Sequence, residues 1–434
     1  MKKLIALVSF LYVAAALGVP AGAAPLPPAV STGGVTLQDC YQRALRVSET
    51  LTISEESIRQ LEIQYRQGVS AVLPSLSWIR TQQYQDTPDA APSTSTNSVQ
   101  GTLTRSARPE SYFEIYQPIF HGMREFNALK GFASARLSSE KNRDQARLAL
   151  LGDVAQVFYT SLDLQQELEL LANQHNITED RIKQLHRWVD LGRSRSSEVL
   201  STQVDLISLE ALVEQTRAAL QTARLTLEFL TQIPPQTPLV DDRPDPAPAA
   251  LEQVLLQSTL RPDLQALAED RKTAQYRLKY AQGDYWPSLD FTGKWYTERV
   301  GFQEDSKWDA LFSLEVPIFQ GGGTRAAVQL ARSQVIIADL AYARQQRLVQ
   351  RDVKNAHQTL NQAVLQANLY DKAAGLARQN YDVQQKEYRL GLITNLDVLQ
   401  VLKTLIDLEI QRLRTRANAK LNDVNLRILT GTGL

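Results

Sequence analysis

Two long stretches of the chain repeat apolar residues at alternating intervals of three and four positions. In the first, from 150 to 189, nine of the twelve repeat positions are apolar. In the second, from 349 to 388, eleven of twelve are apolar or aromatic, and five of these are alanine. Such spacing is typical of a coiled-coil seam. It predicts two helices of about 70 residues, 122–191 and 321–390, each ~105 Å long. We call the twelve positions of each helix its seam.

Four further stretches are predicted to be helical and have about half that length. These are residues 37–72, 197–232, 251–284 and 394–430. Because two half-length helices placed end to end match one long helix, we expect four helical columns per chain. In the two columns made of halves, the junction lies halfway along the column. We therefore expect the linker between the repeats and both chain ends to lie near the middle of the long helices.

Alternation of apolar and polar residues predicts β-strands in the two segments that precede the long helices. It is clearest from Leu289 to Glu298, where one face is apolar and the other polar. This period of two is typical of outer-membrane strands, and a soluble hairpin lid is the alternative interpretation. We expect about four strands per chain, in hairpins at about 74–120 and 286–319. A closed barrel needs at least about eight strands, and lipid tolerates no open edge, so one chain is not enough. Dimers would give about eight strands and trimers about twelve, and only the larger ring leaves an open lumen.

The chain is an internal duplication. Pro118-Ile119-Phe120 recurs as Pro317-Ile318-Phe319, and Leu191-Gly192 recurs as Leu390-Gly391, both at an offset of 199. We therefore divide the chain into repeat 1 (24–233), a proline-rich linker (234–250) and repeat 2 (251–434). The strand starts at Pro74 and Pro287 have an offset of 213, so repeat 1 has fourteen extra residues between Pro74 and Pro118, where 88–98 reads as a polar loop.

The first 23 residues are predicted to be a signal peptide, with two lysines, an apolar segment and a small-residue cleavage pattern. The chain is therefore exported, and after this segment no run of 18 apolar residues predicts a membrane-spanning helix. The single cysteine, Cys40, is interpreted as a buried thiol, because its context lacks the small residues of a lipoprotein cysteine. The 47 basic and 47 acidic residues show no basic surplus, which argues against binding to nucleic acid.

Catalytic and ligand-binding motifs are weak. Gly321-Gly322-Gly323-Thr324 opens a helix after a strand but lacks the lysine of a phosphate-binding loop. The four histidines have no metal-ligand spacing, and no Gly-x-Ser-x-Gly motif is present. His175 lies on the seam, where a packing or interface role is more plausible than metal binding. We therefore expect no enzyme activity, no cofactor and no metal site.

Taken in order, several short motifs make the chain similar to the TolC-type outer-membrane efflux proteins, the outer membrane factor family. They are the Leu/Trp-Pro-Ser-Leu strand starts, the Pro-Ile-Phe strand ends, the Leu-Gly hairpin tips and Arg261-Pro262-Asp263-Leu264. The resemblance covers essentially the whole mature sequence. It implies a mainly α fold, in which a long coiled-coil α-helical barrel continues into a β-barrel completed by trimerisation in the outer membrane.

The function implied by this resemblance is a passive exit duct across the periplasm and the outer membrane. Its partners would be a periplasmic adaptor, an inner-membrane pump that provides the energy, outer-membrane lipid and two further copies of the chain. Such a duct would belong to a tripartite efflux system or a type I secretion system. The alternative is a trimeric coiled-coil scaffold or adhesin, periplasmic or surface-exposed and without a channel. The transported substrate, whether drug, metal ion or protein, is not identified by the sequence.

The resemblance also implies roles for residues near the two hairpin tips. Those at the tips themselves would touch the adaptor: Leu191, Gly192, Arg193, Leu390, Gly391 and Leu392. Asp397 corresponds to a pore-facing acid that would form a cation-selecting ring in a trimer. Gln400 replaces the second acid of that pattern, so we expect a weaker ring. Tyr388 corresponds to a tyrosine of the entrance network, and Glu198 to the acidic partner of an arginine that Ile393 replaces here.

Overall fold

The computed structural model describes residues 34–86, 107–300 and 303–433. The predicted signal peptide and the polar loop at 88–98 lie outside these residues. Within them, the chain consists of long helices and one small sheet.

The described part of repeat 1 contains four helices and two strands. The chain begins with α1 (Leu37–Val47) and α2 (Glu49–Ser70), followed by β1 (Ser75–Tyr84) and β2 (Ala107–His121). It then forms the long helix α3 (Arg124–Asp190) and the return helix α4 (Ser196–Thr231).

Repeat 2 has the same order of elements. It begins with α5 (Leu251–Gln257), a short 3₁₀ turn (Ser258–Leu260) and α6 (Pro262–Gln282), followed by a second 3₁₀ turn (Gly283–Tyr285). The strands β3 (Ser288–Glu298) and β4 (Trp308–Glu315) lead to α7 (Gly323–Arg389) and α8 (Asn395–Thr430). Each bound of α7 and α8 lies 199 residues after the matching bound of α3 and α4 (323 − 124 = 199).

Both seams face other helices. No seam position of α3 or α7 is exposed, and residues such as Val154, Leu171, Val353 and Leu360 are fully buried. α3 packs against α2, α4, α6 and α8, and α7 packs against α6 and α8. At 67 residues each, α3 and α7 are ~100 Å long.

The largest apolar cluster lies near the middle of α3. It brings Val154 and Phe158 together with Leu37 of α1, Leu239 of the linker and Val424 of α8. Val35 pairs with Leu239 in a short parallel bridge, and Gly431 after α8 packs on Arg261 before α6. The linker and the described ends of the chain therefore meet at mid-height. Cys40 is buried in this cluster, and burial raises the pKa of its thiol to about 12.

Two predicted half-length helices are interrupted. The predicted helix over 37–72 is broken at Ser48, whose backbone is extended and whose hydroxyl caps α2 by accepting a hydrogen bond from the Leu51 N–H. The predicted helix over 251–284 is broken before Pro262, which begins α6 because proline lacks the N–H that a helix interior requires. Buried Arg261 makes a two-bond contact with Asp263 beside this break (3.0 and 2.7 Å).

The four strands form one antiparallel sheet in the order β1-β2-β3-β4. β2 and β3 join the two repeats through a register that shifts beside Pro118, where the missing N–H disturbs the ladder. The predicted fold class is confirmed in its helical part and its strand number. Closure of a barrel by three chains stays a prediction. None of the helices in the described part of the chain has an apolar stretch that could span a lipid bilayer.

Candidate functional site

The candidate site is the end of the molecule at which both helical hairpins turn. The turns are built on Gly192 (φ +69°) and Gly391 (φ +76°), which adopt the left-handed conformation that other residues resist. A Cβ at either glycine would meet open space, so the requirement is conformational rather than steric. Leu191, Leu390 and Leu392 are exposed beside them. The tips therefore present apolar side chains to solvent.

Asp397 lies in the first turn of α8. Its Oδ2 accepts hydrogen bonds from the N–H (2.9 Å) and the hydroxyl (2.7 Å) of Thr394, the residue that caps this helix. These bonds favour the charged carboxylate and lower the pKa of Asp397. The side chain is exposed, as is that of Gln400 on the next turn. Asp397 is therefore a fixed, ionised and accessible carboxylate.

Glu198 occupies the equivalent place in repeat 1 but has a different environment. Arg195 precedes α4 and makes no capping bond with its side chain. The Glu198 carboxylate instead accepts a hydrogen bond from the hydroxyl of Ser194 (2.9 Å) and is half-buried. The two repeats thus hold their first-turn acids by different residues.

Tyr388 lies at the end of α7 and packs against α3. Its ring is 5.5 Å from that of Trp188, and the Arg181 guanidinium lies 4.4 Å from its centre. Only 9% of Tyr388 is exposed. Burial raises the pKa of its hydroxyl, and the charge of Glu198 adds to this rise. The structure thus brings Tyr388 near Glu198, while Ile393 is half-buried in the following turn.

Asn395 begins α8 on the other side of the same turn. It is buried, and its amide donates to the hydroxyl of Thr202 on α4 at 3.4 Å. The Thr202 hydroxyl in turn donates to the Glu198 carbonyl (2.8 Å). Both ends of the 390–394 turn are therefore attached to repeat 1.

An open groove of about 640 Å³ lies between α3 and α7 just above the turns. Trp188, Tyr381 and Tyr388 line it together with Arg181 and Arg389. Among the described residues, no cluster of three His, Cys, Asp or Glu side chains is arranged to hold a metal ion.

The sheet at the opposite end of the molecule has two chemically different faces. On one, Phe291 packs on Phe312 (5.0 Å between ring centres), and Trp295 and Trp308 are exposed beside them. On the other, Tyr116 donates to Asp290 and Tyr296 to Asp309, each at 2.7 Å. Within the described residues β1 and β4 each have one neighbouring strand, so both outer edges are unpaired.

Three comparisons relate this chain to known proteins. Residues 254–432 match the family described as Outer membrane efflux protein. The chain is 24% identical over 425 residues to the probable efflux pump outer membrane protein TtgC of Pseudomonas putida, which covers 92% of this chain and 83% of that protein. It is 27% identical over 214 residues to the outer membrane protein TolC of Escherichia coli, which covers 44% of this chain and 41% of TolC.

Solved structures share the fold. A crystal structure of CusC superposes with a TM-score of 0.79 at 17% identity and covers 95% of this chain and 98% of that one. VceC of Vibrio cholerae superposes with a TM-score of 0.76 at 15% identity, covering 92% and 96%. The chain is thus similar to outer membrane efflux proteins over most of its length and shares the fold of their solved structures. Its location is therefore the outer membrane, as for TolC and TtgC.

The structure places the predicted site residues together at one end of the molecule, and the sequence missed some of the contacts there. It did not predict Arg181 and Trp188 beside Tyr388, nor the buried Asn395. It also missed His121, whose two ring nitrogens lie 2.7 Å from Glu125 and 2.9 Å from Asp290, where the sheet joins α3. His121 ends β2 and Glu125 lies in the first turn of α3, so helical spacing does not relate the two residues and the sequence held no signal for their contact.

Proposed function

We propose that this chain forms the exit duct of a tripartite efflux or type I secretion system, conducting passively across the periplasm and the outer membrane. One observation carries the proposal: a four-stranded sheet with one apolar face stands at the end of two hairpins ~100 Å long. A lipid-facing end and a long helical extension are the parts such a duct needs.

Three copies of the chain complete the duct. The unpaired edges of β1 and β4 carry backbone groups that lipid cannot satisfy, so each edge needs a strand from another copy. Two copies would give eight strands and a barrel filled by its own side chains, whereas three give twelve and leave a lumen (2 × 4 = 8; 3 × 4 = 12). In the same way, four helical columns from each of three chains surround a tunnel with twelve columns (3 × 4 = 12).

Asp397 is proposed to set the ionic preference of the tunnel entrance, with Gln400, Tyr388 and Glu198 around it. Its exposure and its bonds to Thr394 support this role, because a fixed charged carboxylate attracts cations and repels anions. In planar bilayers, Asp397→Asn is expected to reduce the preference for cations over anions. Gln400→Asn is the matched control, since it changes an exposed neutral side chain one turn away. An Asp397→Asn channel with wild-type ion preference would contradict the assignment.

The tip residues Leu191, Gly192, Arg193, Leu390, Gly391 and Leu392 are proposed to touch a periplasmic adaptor, which connects the duct to an inner-membrane pump. The exposed leucines support this, since apolar side chains on a protruding tip favour a protein partner. A photoreactive group at Leu392 should crosslink the adaptor in intact cells. The same group at exposed Leu376, far from the tip along α7, should not.

The main test separates a duct from a coiled-coil scaffold without a channel. The duct predicts trimers that fractionate with the outer membrane, change mobility on heating and conduct ions in planar bilayers. Recovery of a protein that does not conduct in the soluble periplasmic fraction would favour the scaffold instead. The two-faced sheet favours the duct, because a soluble scaffold gains nothing from exposing Trp295, Trp308 and Phe312.

A further inference from the structure

The chain passes from the sheet into α3 through a turn of two residues, Gly122 and Met123. Both adopt the left-handed conformation (φ +62° at each), which is costly for a methionine and persists only where the surroundings hold it. A Cβ at Gly122 would clash with the carbonyl of Gly283, so the turn packs closely on repeat 2. This joint between β2 and α3 therefore depends on the contacts made on either side of the turn.

Two cationic or titratable side chains flank the turn, and both reach repeat 2. Arg124 follows the turn, and its guanidinium lies 2.6 Å from the carboxylate of Asp284. His121 precedes the turn, and its ring lies between Asp290 of β3 (2.9 Å from Nε2) and Glu125 of α3 (2.7 Å from Nδ1). An arginine keeps its charge at every physiological pH, whereas the charge of a histidine depends on pH. One of the two contacts that hold the joint is therefore sensitive to protons.

The His121 ring faces a carboxylate at each of its nitrogens. An ionised carboxylate only accepts hydrogen bonds, and a neutral imidazole has one N–H where a protonated imidazole has two. The ring can therefore donate to Glu125 and Asp290 together only when it is protonated. Tyr116 of β2 donates its hydroxyl to the same Oδ1 of Asp290, which makes this oxygen an acceptor in both contacts. Loss of the ring proton leaves one of the two carboxylates without its donor.

The equivalent joint of repeat 2 carries neutral side chains at these positions. Gln320 and Thr324 stand 199 residues after His121 and Glu125, and the Thr324 hydroxyl donates to the Gln320 side chain. Ser77 of β1 stands 213 residues before the aspartate of β3 (290 − 213 = 77). None of these three replacements changes its charge near neutral pH. The sensitivity to protons is thus a property of the joint in repeat 1.

We propose that His121 is a proton-dependent clamp that fixes the sheet on the long helix α3. With the ring protonated, the clamp joins β2, β3 and α3. When the ring loses its proton, one bond is lost and the joint loosens, while Arg124 keeps it connected to repeat 2. The clamp lies within one chain and does not require that the chain conducts, so it goes beyond the proposed function and is tested separately from it.

The first test measures the temperature at which the purified protein in detergent loses its heat-modifiable form, from about pH 6 to about pH 9. The folded protein gains a bond on protonation that the unfolded chain lacks, so it binds this proton more tightly, and the stabilisation is lost as the pH rises. Wild type should therefore exceed His121→Gln, which copies Gln320, by about 3 °C at the lower pH and by nothing at the higher pH. His175→Gln is the matched control, since His175 also lies beside a glutamate (Glu210, 3.3 Å). Its difference from wild type should not depend on pH.

The second test keeps the histidine and observes the joint directly. Hydrogen exchange of the segment 117–127, corrected for the intrinsic effect of pH, should show about a tenfold loss of protection as the ring deprotonates. The equivalent segment 316–326 is the internal control and should show no such loss. In Glu125→Gln the loss should occur at a pH lower by about one unit, because one of the two carboxylates that hold the proton is gone.

Two results would overturn the clamp. One is a difference between wild type and His121→Gln that is the same at both ends of the pH range. The other is a loss of protection at the same pH in wild type and Glu125→Gln, which would mean that the proton is not held between the two carboxylates. The exchange experiment decides the matter even if His121→Gln does not fold. A wild-type protein that never conducts would contradict the proposed function and leave the clamp standing.

Discussion

The two helical hairpins, α3–α4 and α7–α8, have identical lengths and different chemistry. Their bounds are related by a single offset of 199 residues, yet the seam of α3 contains Ser161, His175 and Thr178 where α7 has Leu360, Ala374 and Ala377. The repeat therefore conserves where helices begin and end, and does not conserve what fills the space between them.

The ion pairs of the two hairpins differ in the same way. Glu210 of α4 lies 3.3 Å from His175, and both side chains are partly exposed. The equivalent Glu409 of α8 is buried between Arg378 (2.9 Å) and Arg412 (2.8 Å). Two arginines, which keep their charge at all physiological pH values, thus face the buried glutamate, and one histidine faces the exposed glutamate. The second hairpin, which carries Asp397, therefore has a buried ion-pair network where the first has a partly exposed pair.

The largest expected difference comes from the seam. Leu360→Ala should lower the free energy of unfolding by about 3 kcal/mol, because it empties a fully buried position. The matched change Ser161→Ala should have almost no effect or stabilise, since the Ser161 hydroxyl is buried without a partner among the described residues. Denaturant unfolding at fixed protein concentration in detergent measures both. Equal losses in the two variants would mean that the hairpins are packed alike.

A smaller difference is expected from the equivalent glutamates. Glu409→Gln should destabilise by about 2 kcal/mol, because two arginines lose a buried partner, although the 63% exposure of Arg378 reduces the loss. Glu210→Gln should cost less than about 0.5 kcal/mol, as for most exposed pairs. The same unfolding experiment serves for both variants. A loss at Glu210 that matches the loss at Glu409 would remove the contrast between the hairpins.

The helix caps give the third comparison. Thr394→Ala should cost about 1 kcal/mol, because α8 loses a capping box, and Arg195→Ala should cost nothing measurable, because that side chain makes no capping bond. The pKa of Asp397 is lowered in the folded protein, so its contribution to stability is present at neutral pH and is lost as the pH falls. The penalty of Thr394→Ala should therefore shrink under acidic conditions. A penalty that does not depend on pH would mean that Thr394 stabilises α8 through contacts other than its bonds to Asp397.

The smallest effect is expected at Asp163. Burial raises the pKa of this carboxyl to about 6, despite Arg414 nearby, and Glu167 adds to the rise. Because the folded protein then binds the proton more tightly than the unfolded chain does, stability falls as the pH rises toward 6. Asp163→Asn, which copies the neutral Gln362 of repeat 2, should stabilise by less than about 1 kcal/mol at pH 7.5. Thermal melts at pH 7.5 and pH 4.5 should show the gain in stability at pH 7.5 and no gain at pH 4.5.

Much of the fold could be predicted from the sequence, because its signals are periodic. The seven-residue spacing leads to the long helices, and alternation leads to the strands. What the pattern missed were local breaks: Ser48 competes for backbone N–H groups as a cap, and Pro262 cannot continue a helix. The proline was a usable signal inside the predicted helix at 251–284.

The candidate site was predictable only in part. Motifs located Tyr388 and Asp397 near the tip, but Arg181 and Trp188 have no motif of their own. Their contact with Tyr388 joins positions that the repeat does not relate, since Trp188 and Tyr388 are 200 rather than 199 residues apart (388 − 188 = 200). Such contacts depend on how the two hairpins pack, and a pattern along a single helix carries no information on that.

Because α3 and α7 are long and uninterrupted, they fix the distance between the sheet and the hairpin tips. At 67 residues each, both helices run without interruption and set a distance of ~100 Å between the sheet and the tips. Any partner that binds the tips must therefore reach to this distance from the sheet. Adding one heptad to all four hairpin helices would move the tips by ~10 Å while returning every side chain to nearly its original face. Lengthening one helix alone would shift its side chains out of register with those of the helices packed against it.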